Sequence, residues 1–368
     1  MLEFEVVPAE RRPAEERAAL LADPGFGRVF TDHMVTIRYA ESKGWYDARL
    51  VPFGPLALSP ATAALHYGQE IFEGLKAYAM PDGGVALFRP EANARRLNTT
   101  AVRMAMPELP EELFLRAVWT LVEADREWVP AKPGQSLYLR PFMLATDPFL
   151  GVRPSSEYLF AVIASPAGSY FAGGAKPVTV WVSKDLTRAA PGGTGAVKTA
   201  ANYAASLLAQ AQAQEAGCDQ VVFLDAVERR WIEESGSMNV FFVYDDAIVT
   251  PPLNGSILPG VTRDSVLRLA EHLGYTVTER PYSFDEWRSD AENGTLRETF
   301  ASGTGVVITS IGAARTQDGA FTIADGNEGP VTTAIRDAIV GIQRGLRPDP
   351  FGWSARHPRR PSPSPSAE

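Results

Sequence analysis

Gly192-Gly-Thr-Gly-Ala-Val-Lys-Thr-Ala-Ala-Asn-Tyr203 is the stretch on which the reading of this chain turns. A glycine-rich turn ending in lysine suggests a phosphate-wrapping loop. That loop needs glycine directly before the lysine so the backbone can close around the phosphates. Val197 stands there, and its branched side chain removes the nucleotide-binding P-loop. What remains is Lys198 at a turn, entering an alanine-rich helix over residues 199–216 that Gly217 ends. A lysine so placed forms a Schiff base with an aldehyde cofactor when a dry pocket weakens its hold on a proton. A lone lysine at a helix start is more commonly solvated, so its company has to decide.

That company extends in both directions. Tyr203 lies one helical turn or so beyond the lysine. Glu233 and Glu234 sit on a later strand, where alternation turns one inward and leaves its neighbour to solvent. A buried acid beside Glu234-Ser-Gly-Ser-Met-Asn239 is costly unless paired, and the protonated nitrogen of pyridoxal phosphate is such a partner. Leu258-Pro-Gly-Val-Thr262 runs into a helix whose first amides form an anion site. Ser302-Gly-Thr-Gly305 offers hydroxyls and open amides for the same anion. It lacks the third glycine of a dinucleotide fingerprint, Ile308 standing in that place. Arg89 and Arg96 lie seven apart, two turns of a helix, and either could reach a phosphate or simply be solvated.

Composition bounds the rest. The 368 residues suggest two or three domains at roughly 150 residues each. Apolar residues at 45% and charged residues at 21% exclude wholesale disorder and fibrous folds. Cys218 is the single cysteine, so neither a disulfide framework nor a thiolate zinc cage can form. The four histidines show no metal-ligand spacing, and no metal is expected. A net charge of −9 argues against a nucleic-acid partner. No run approaches the roughly 20 apolar residues of a membrane span, and no apolar signal core opens the chain. A cytoplasmic enzyme without membrane or nucleic-acid partners is the expectation.

The pattern of strands and helices is mixed α/β in two blocks. Strands are read at residues 34–39, 137–144 and 158–164, and helices at 92–104 and 111–129, in the first. A glycine- and proline-punctuated stretch near residue 173 separates it from strands at 178–182, 220–224, 230–232, 240–243, 298–300 and 306–309, with a helix at 262–273. The boundaries are a small N-terminal domain over residues 1–172, with a loose arm at 1–24, a linker at 173–178, a large domain at 179–350 and a disordered tail at 351–368.

At this point the chain resembles the branched-chain amino acid aminotransferases, of the class IV fold of pyridoxal-phosphate enzymes. The resemblance runs from about Phe26 to about Arg347. It rests on ordered blocks that include Leu65-His-Tyr-Gly-Gln-Glu-Ile-Phe-Glu-Gly-Leu-Lys-Ala-Tyr78, Tyr138-Leu-Arg-Pro141, Lys198-Thr-Ala-Ala-Asn-Tyr203, Glu234-Ser-Gly-Ser-Met-Asn239 and Leu258-Pro-Gly-Val-Thr-Arg263. The resemblance implies an α/β (α+β) two-domain fold with pyridoxal 5'-phosphate in the interdomain cleft. It implies reversible, ping-pong exchange of an amino group between L-leucine, L-isoleucine or L-valine and 2-oxoglutarate.

Carried over by residue, the resemblance makes Lys198 the catalytic lysine that holds the cofactor and moves the proton. Glu234 meets the ring nitrogen, Tyr203 the ring hydroxyl, and Arg96, Val261, Thr262 and Thr304 the phosphate. Phe26, Tyr67, Phe72, Tyr138 and Tyr170 surround the substrate side chain, and Arg140 meets the glutamate carboxylate. Ser237 and Gly305 contact the α-carboxylate. It also implies a homodimer in which the partner helps close each site. Two departures stand out: Val306-Val-Ile-Thr309 replaces the cysteine pair of some relatives, and Gly305 replaces a frequent alanine. D-Amino acid aminotransferase and aminodeoxychorismate lyase share the lysine, the glutamate and the phosphate site. Both are typically shorter and lack the block at Phe26-Gly and Thr31-Asp-His33. A nucleotide-binding protein without transaminase activity is disfavoured by Val197.

Overall fold

The computed structural model describes residues 2–168 and 176–357. In chain order the first half contains β1 (Glu5–Val6), α1 (Ala14–Ala22), β2 (His33–Ala40), β3 (Gly44–Pro52), α2 (Ala63–Tyr67), β4 (Glu70–Phe72), β5 (Leu75–Ala79), β6 (Val85–Phe88), α3 (Pro90–Arg103), α4 (Glu111–Ala124), β7 (Ser136–Ala145) and β8 (Glu157–Ala167). The second contains β9 (Val178–Ser183), α5 (Ala200–Glu215), β10 (Gln220–Leu224), β11 (Ile232–Ser235), β12 (Met238–Val243), β13 (Ala247–Thr250), α6 (Val261–His272), β14 (Thr276–Glu279), α7 (Phe284–Glu292), β15 (Glu298–Gly303), β16 (Val307–Thr316), β17 (Gly319–Thr322), α8 (Pro330–Gln343) and β18 (Ser354–His357).

Among the described residues these strands form two nine-stranded sheets. The first runs β1-β3-β2-β8-β7-β5-β6-β18, with β4 joined to β7. α3 and α4 cover the face of its central strands that carries the first core. α4 alone buries Leu113, Phe114, Ala117, Val118, Leu121 and Val122, the helical stripe expected of a core-facing surface. The second sheet runs β11-β10-β9-β16-β15-β12-β13-β14, and a further β11–β12 pairing closes six of its strands into a ring. Alternation along β12 serves two cores: Val240 and Phe242 pack inside with Trp287 and Tyr282. Phe241 packs with α6, α8 and Phe300 on the other side. Tyr78, Phe88 and Trp353 join that second cluster and bind the sheets to each other.

Three expectations change. The arm at residues 1–24 is folded: β1 pairs with β3, and Leu2, Phe4, Leu20 and Leu21 pack on the first core. Four apolar side chains among many charges were enough to anchor it, although their density is low. Of the tail expected over residues 351–368, residues 351–357 are folded. β18 pairs antiparallel with β6, and Trp353 is buried between Phe88 and Phe351, which stacks on it at 4.1 Å. Neighbouring prolines and serines hid this apolar anchor; residues 358–368 lie outside the described residues. The strand read at 230–232 is β11, displaced to Ile232–Ser235. The expected linker lies between β8 and β9, with residues 173–175 outside the described residues.

Trp353→Ala is expected to lower the unfolding free energy by about 3–5 kcal/mol, as for other buried aromatic truncations. A loss below about 1 kcal/mol by urea denaturation would contradict the place of the C-terminal strand in the core.

Candidate active site

Lys198 sits where the two sheets meet. The Phe72 amide donates to the Lys198 carbonyl at 3.0 Å, and Ile71 bridges to Thr199. The Lys198 amide donates to Thr100 Oγ1 at 3.2 Å. Behind it the glycine-rich turn is closed by Asn202, whose amide donates to the carbonyls of Thr194 at 2.7 Å and Val197 at 2.8 Å. The lysine backbone is therefore held by both halves of the chain while its side chain reaches forward. Lys198 Nζ donates to Tyr203 Oη at 2.8 Å and lies 4.8 Å from the centre of the Phe72 ring.

The amine faces a cavity of about 370 Å³. From the first sheet and its loops come Phe26, Phe72, Tyr138, Arg140 and Arg96; from the second come Ser237, Val261, Thr262, Thr304 and Gly305. Tyr138 and Arg140 share one face of β7 because they are two residues apart. Arg140 donates to Tyr138 Oη at 3.1 Å, and its charge lies over Phe72 at 4.7 Å. Gly74 makes room for this: a Cβ there would stand 2.2 Å from Tyr138 Oη. The Ser237 turn depends on Gly236, which has φ 57° and would clash with Gln220 at 2.2 Å if it carried a Cβ. Sequence reasoning did not single out Met238, Asn239 and Leu258 in the lining, nor give Ser302 a role of its own within its turn. For Ser302 the signal was present, since it begins the quoted Ser-Gly-Thr-Gly turn.

Two expected residues stand outside the lining, and a third outside the described residues. Tyr67 does not line this cavity; it is exposed, and its hydroxyl donates to the Leu150 carbonyl. Tyr170 lies outside the described residues. Glu234 stands behind the lining, against Leu258, whose amide it accepts. Of the two arginines, Arg96 lines the cavity, whereas Arg89 is taken up by Asp264 at 2.6 Å and Ser265 at 2.8 Å.

The alternation expected for Glu233 and Glu234 places one acid in solvent, but both are buried. β11 is covered on both faces: Arg188 and the Leu258 amide lie against Glu234, and Asn254 lies against Glu233. Arg188 spans Glu234 with Nε at 3.0 Å from Oε2 and Nη2 at 3.0 Å from Oε1. Burial still raises the Glu234 carboxyl above its ordinary range, with the Arg188 charge opposing it. Burial likewise raises Glu233, which accepts from Asn254 at 3.3 Å. Glu73 goes the other way. Burial opposes its ionisation, but Arg96 at 2.7 and 2.8 Å and Asn93 at 2.7 Å more than offset that and hold it below the usual carboxylate range.

This donor set suits an anionic, ring-bearing aldehyde cofactor. At one end Arg96 meets the start of α6, where Gly260 supplies no side-chain cap and the first amides remain for an anion. Ser302 Oγ is buried there without a partner among the described residues. At the other end an amine and a phenol adjoin, with a carboxylate behind. The Arg140 Nε–H is also buried without a partner among the described residues, in an otherwise aromatic wall. A site of this kind takes an apolar group against the rings and a carboxylate against the arginine.

The amino-transferase class IV family model matches residues 70–314. A probable branched-chain-amino-acid aminotransferase of Streptomyces coelicolor is 59% identical over 92% of this chain and 94% of its own length. The branched-chain-amino-acid aminotransferase of Mycolicibacterium smegmatis is 56% identical, over 96% of this chain and 98% of its own. Among solved structures, the branched-chain amino acid aminotransferase from Escherichia coli superposes with a TM-score of 0.71. It is 28% identical, and the superposition covers 88% of this chain and 98% of that one.

Lys76 supplies a test of the turn that closes the cavity. Its buried Nζ donates to the Gly305 carbonyl at 2.7 Å, and burial pushes the amine down to about 8. Between pH 8 and its ordinary value the unfolded chain binds the extra proton, so folding stability gains from this group as pH rises through that window. The stability of wild type relative to Lys76→Met should therefore increase from about pH 7.5 to about pH 9.5 in urea titrations. A pH-independent difference would contradict the burial of a charged amine at this turn.

Proposed function

Because the chain belongs to the amino-transferase class IV family, we propose that it is a branched-chain-amino-acid aminotransferase that uses pyridoxal 5'-phosphate. It exchanges the amino group of L-leucine, L-isoleucine or L-valine with 2-oxoglutarate, and the reading places it in the cytoplasm. No helix among the described residues is long and apolar enough to cross a membrane. The observation that carries the reading is the Lys198 amine, 2.8 Å from Tyr203 Oη, in a cavity with an anion-binding end and an aromatic wall that contains Arg140. The domain reading divides the chain at residues 173–178, with the cavity in the cleft between the halves.

Bound pyridoxal phosphate supplies an electron sink for the charge that develops at the substrate Cα. The residues do the rest. Arg96, the amides of Val261 and Thr262, and Thr304 hold the phosphate. Tyr203 takes the ring hydroxyl, and Glu234 the ring nitrogen. Lys198 Nζ holds the cofactor between turnovers, then removes the proton from the substrate Cα and later returns one. Ser237 and Gly305 receive the α-carboxylate. Phe26, Phe72 and Tyr138 form the wall for a branched side chain. Arg140, whose Nε–H lacks a partner among the described residues, receives the second carboxylate of glutamate. The family relation also proposes Tyr170, which the described residues do not include.

Tyr67 fits as a contribution to the other subunit's site. It stands outside its own cavity with its hydroxyl on the Leu150 carbonyl, and Leu65, Leu150 and Val152 are 64%, 68% and 88% exposed. Leu207 and Leu208 of α5 add to the exposed apolar surface. Single exposed apolar residues are ordinary, but several so placed mark an interaction surface. A homodimer covers them and brings each Tyr67 to its partner.

In the visible spectrum, L-leucine alone should bleach the yellow holoenzyme, and 2-oxoglutarate should restore the colour. Bleaching by D-alanine but not by L-leucine would move the substrate class to D-amino acids. Lys198→Ala should remove the cofactor band and reduce turnover to background while the fold persists. Arg140→Ala should reduce kcat/KM for glutamate about 10–100-fold more than for leucine, the scale of about 1–3 kcal/mol for one lost pocket contact. Leu150→Asp with Val152→Asp should yield a folded monomer in light scattering, with turnover reduced alongside.

A further inference from the structure

Arg188 belongs to none of the roles assigned above, yet it is the most completely engaged buried cation near the site. Its side chain is 7% exposed. Beyond its two bonds to Glu234, it donates to the Gly195 carbonyl at 2.9 Å and to the Ser256 carbonyl at 3.3 Å. These two carbonyls belong to the loop that ends at Lys198 and the loop that leads to α6. The loops are in close contact, for a Cβ on Gly195 would stand 2.4 Å from the Ser256 oxygen. The guanidinium thus occupies a fixed position with no slack to follow a moving partner.

The oxygens of Glu234 are not equivalent in this setting. Oε1 accepts from both Arg188 and the Leu258 amide; Oε2 accepts from Arg188 Nε alone and keeps capacity for another donor. The other charged groups acting on this carboxylate are Lys198 and Glu233, the latter acting in the opposite sense to Arg188.

On the reading of Glu234 given above, we propose that Arg188 is a positioning residue that decides where the proton shared by Glu234 and the cofactor ring nitrogen resides. One proton lies between two bases, Oε2 and the ring nitrogen, and no other bond changes. A buried carboxyl without a countercharge retains its proton. A fixed guanidinium on the carboxylate stabilises the anion, so the proton passes to the ring and makes it the stronger electron sink. Arg188 touches neither reacting atom; it acts through Glu234.

The test uses holoenzyme loaded with pyridoxal phosphate carrying ¹⁵N in the ring. Its ¹⁵N chemical shift reports ring protonation directly, which loop support alone would not alter. Wild type should show a protonated nitrogen, Arg188→Met a neutral one, and Arg188→Lys a return toward protonation. For Arg188→Met, kcat should fall about tenfold or more, since each pK unit of displaced proton affinity is a factor of ten, with KM for leucine changing less. A folded Arg188→Met holoenzyme with a protonated ring and unchanged kcat would overturn the inference. Where Arg188→Met does not fold, Arg188→Gln decides: a neutral ring nitrogen supports the role, and a protonated ring with wild-type kcat refutes it. Glu234→Gln separates this inference from the reading beneath it. If Glu234→Gln loses the ring proton while Arg188→Met keeps it, only the role of Arg188 fails. If Glu234→Gln also keeps the proton, the assignment of Glu234 fails.

Discussion

Two carboxylates, Glu73 and Glu234, are buried on either side of one cavity, and the site depends on each having an arginine of its own. An unpaired carboxylate in such a place would take up a proton or draw in water. Paired, each becomes a fixed anchor. Glu73 orients Arg96 toward the start of α6, and Arg96 also donates to the Pro259 carbonyl at 3.1 Å, so the anion-binding end is assembled by one ion pair. Glu234, gripped by Arg188 and the Leu258 amide, holds together the loops that place Lys198 and α6. The cavity is polar where these pairs meet it and aromatic elsewhere.

The same economy explains how two sheets make one site. Neither sheet carries the cavity alone. β4 and β7 supply the aromatic wall and Arg140, and the turns after β11 and β15 supply Ser237 and Thr304. Joints between them include the Phe72 amide on the Lys198 carbonyl, Lys76 on the Gly305 carbonyl, Arg96 on the Pro259 carbonyl and Trp353 between cores. The first three hold Phe72, Gly305 and Arg96, residues that line the cavity, whereas Trp353 joins the cores.

Much of this was legible in the chain. Val197 excluded a P-loop without any structure, because the rule it breaks is local and steric. The turns at residues 258–262 and 302–305, read as glycine-bearing turns with open amides, do come together in the lining of one cavity. Helices and strands with strong periodicity fell where the pattern put them, with boundaries moved by a few residues. The arm and the start of the tail were misjudged for one reason. A few apolar side chains among charges or prolines carry little weight in composition, whereas one buried tryptophan or a pair of leucines can hold a segment in place.

The sequence by itself determined the chemistry available: one lysine at a turn, an acid on a strand, aromatics and an arginine two residues apart on β7, and glycines wherever a backbone had to turn or be approached. These properties are local, set by residue type and by spacings of two or about four. Only the tertiary structure decided that Glu233 is as buried as Glu234, because the groups that cover the two faces of the strand, Asn254 on one and Arg188 with Leu258 on the other, come from distant loops that alternation cannot foresee. Only it paired Glu73 with Arg96 and Glu234 with Arg188, residues 23 and 46 positions apart. And only it turned Tyr67 away from its own cavity, since where a side chain ends depends on which distant strand its helix packs against.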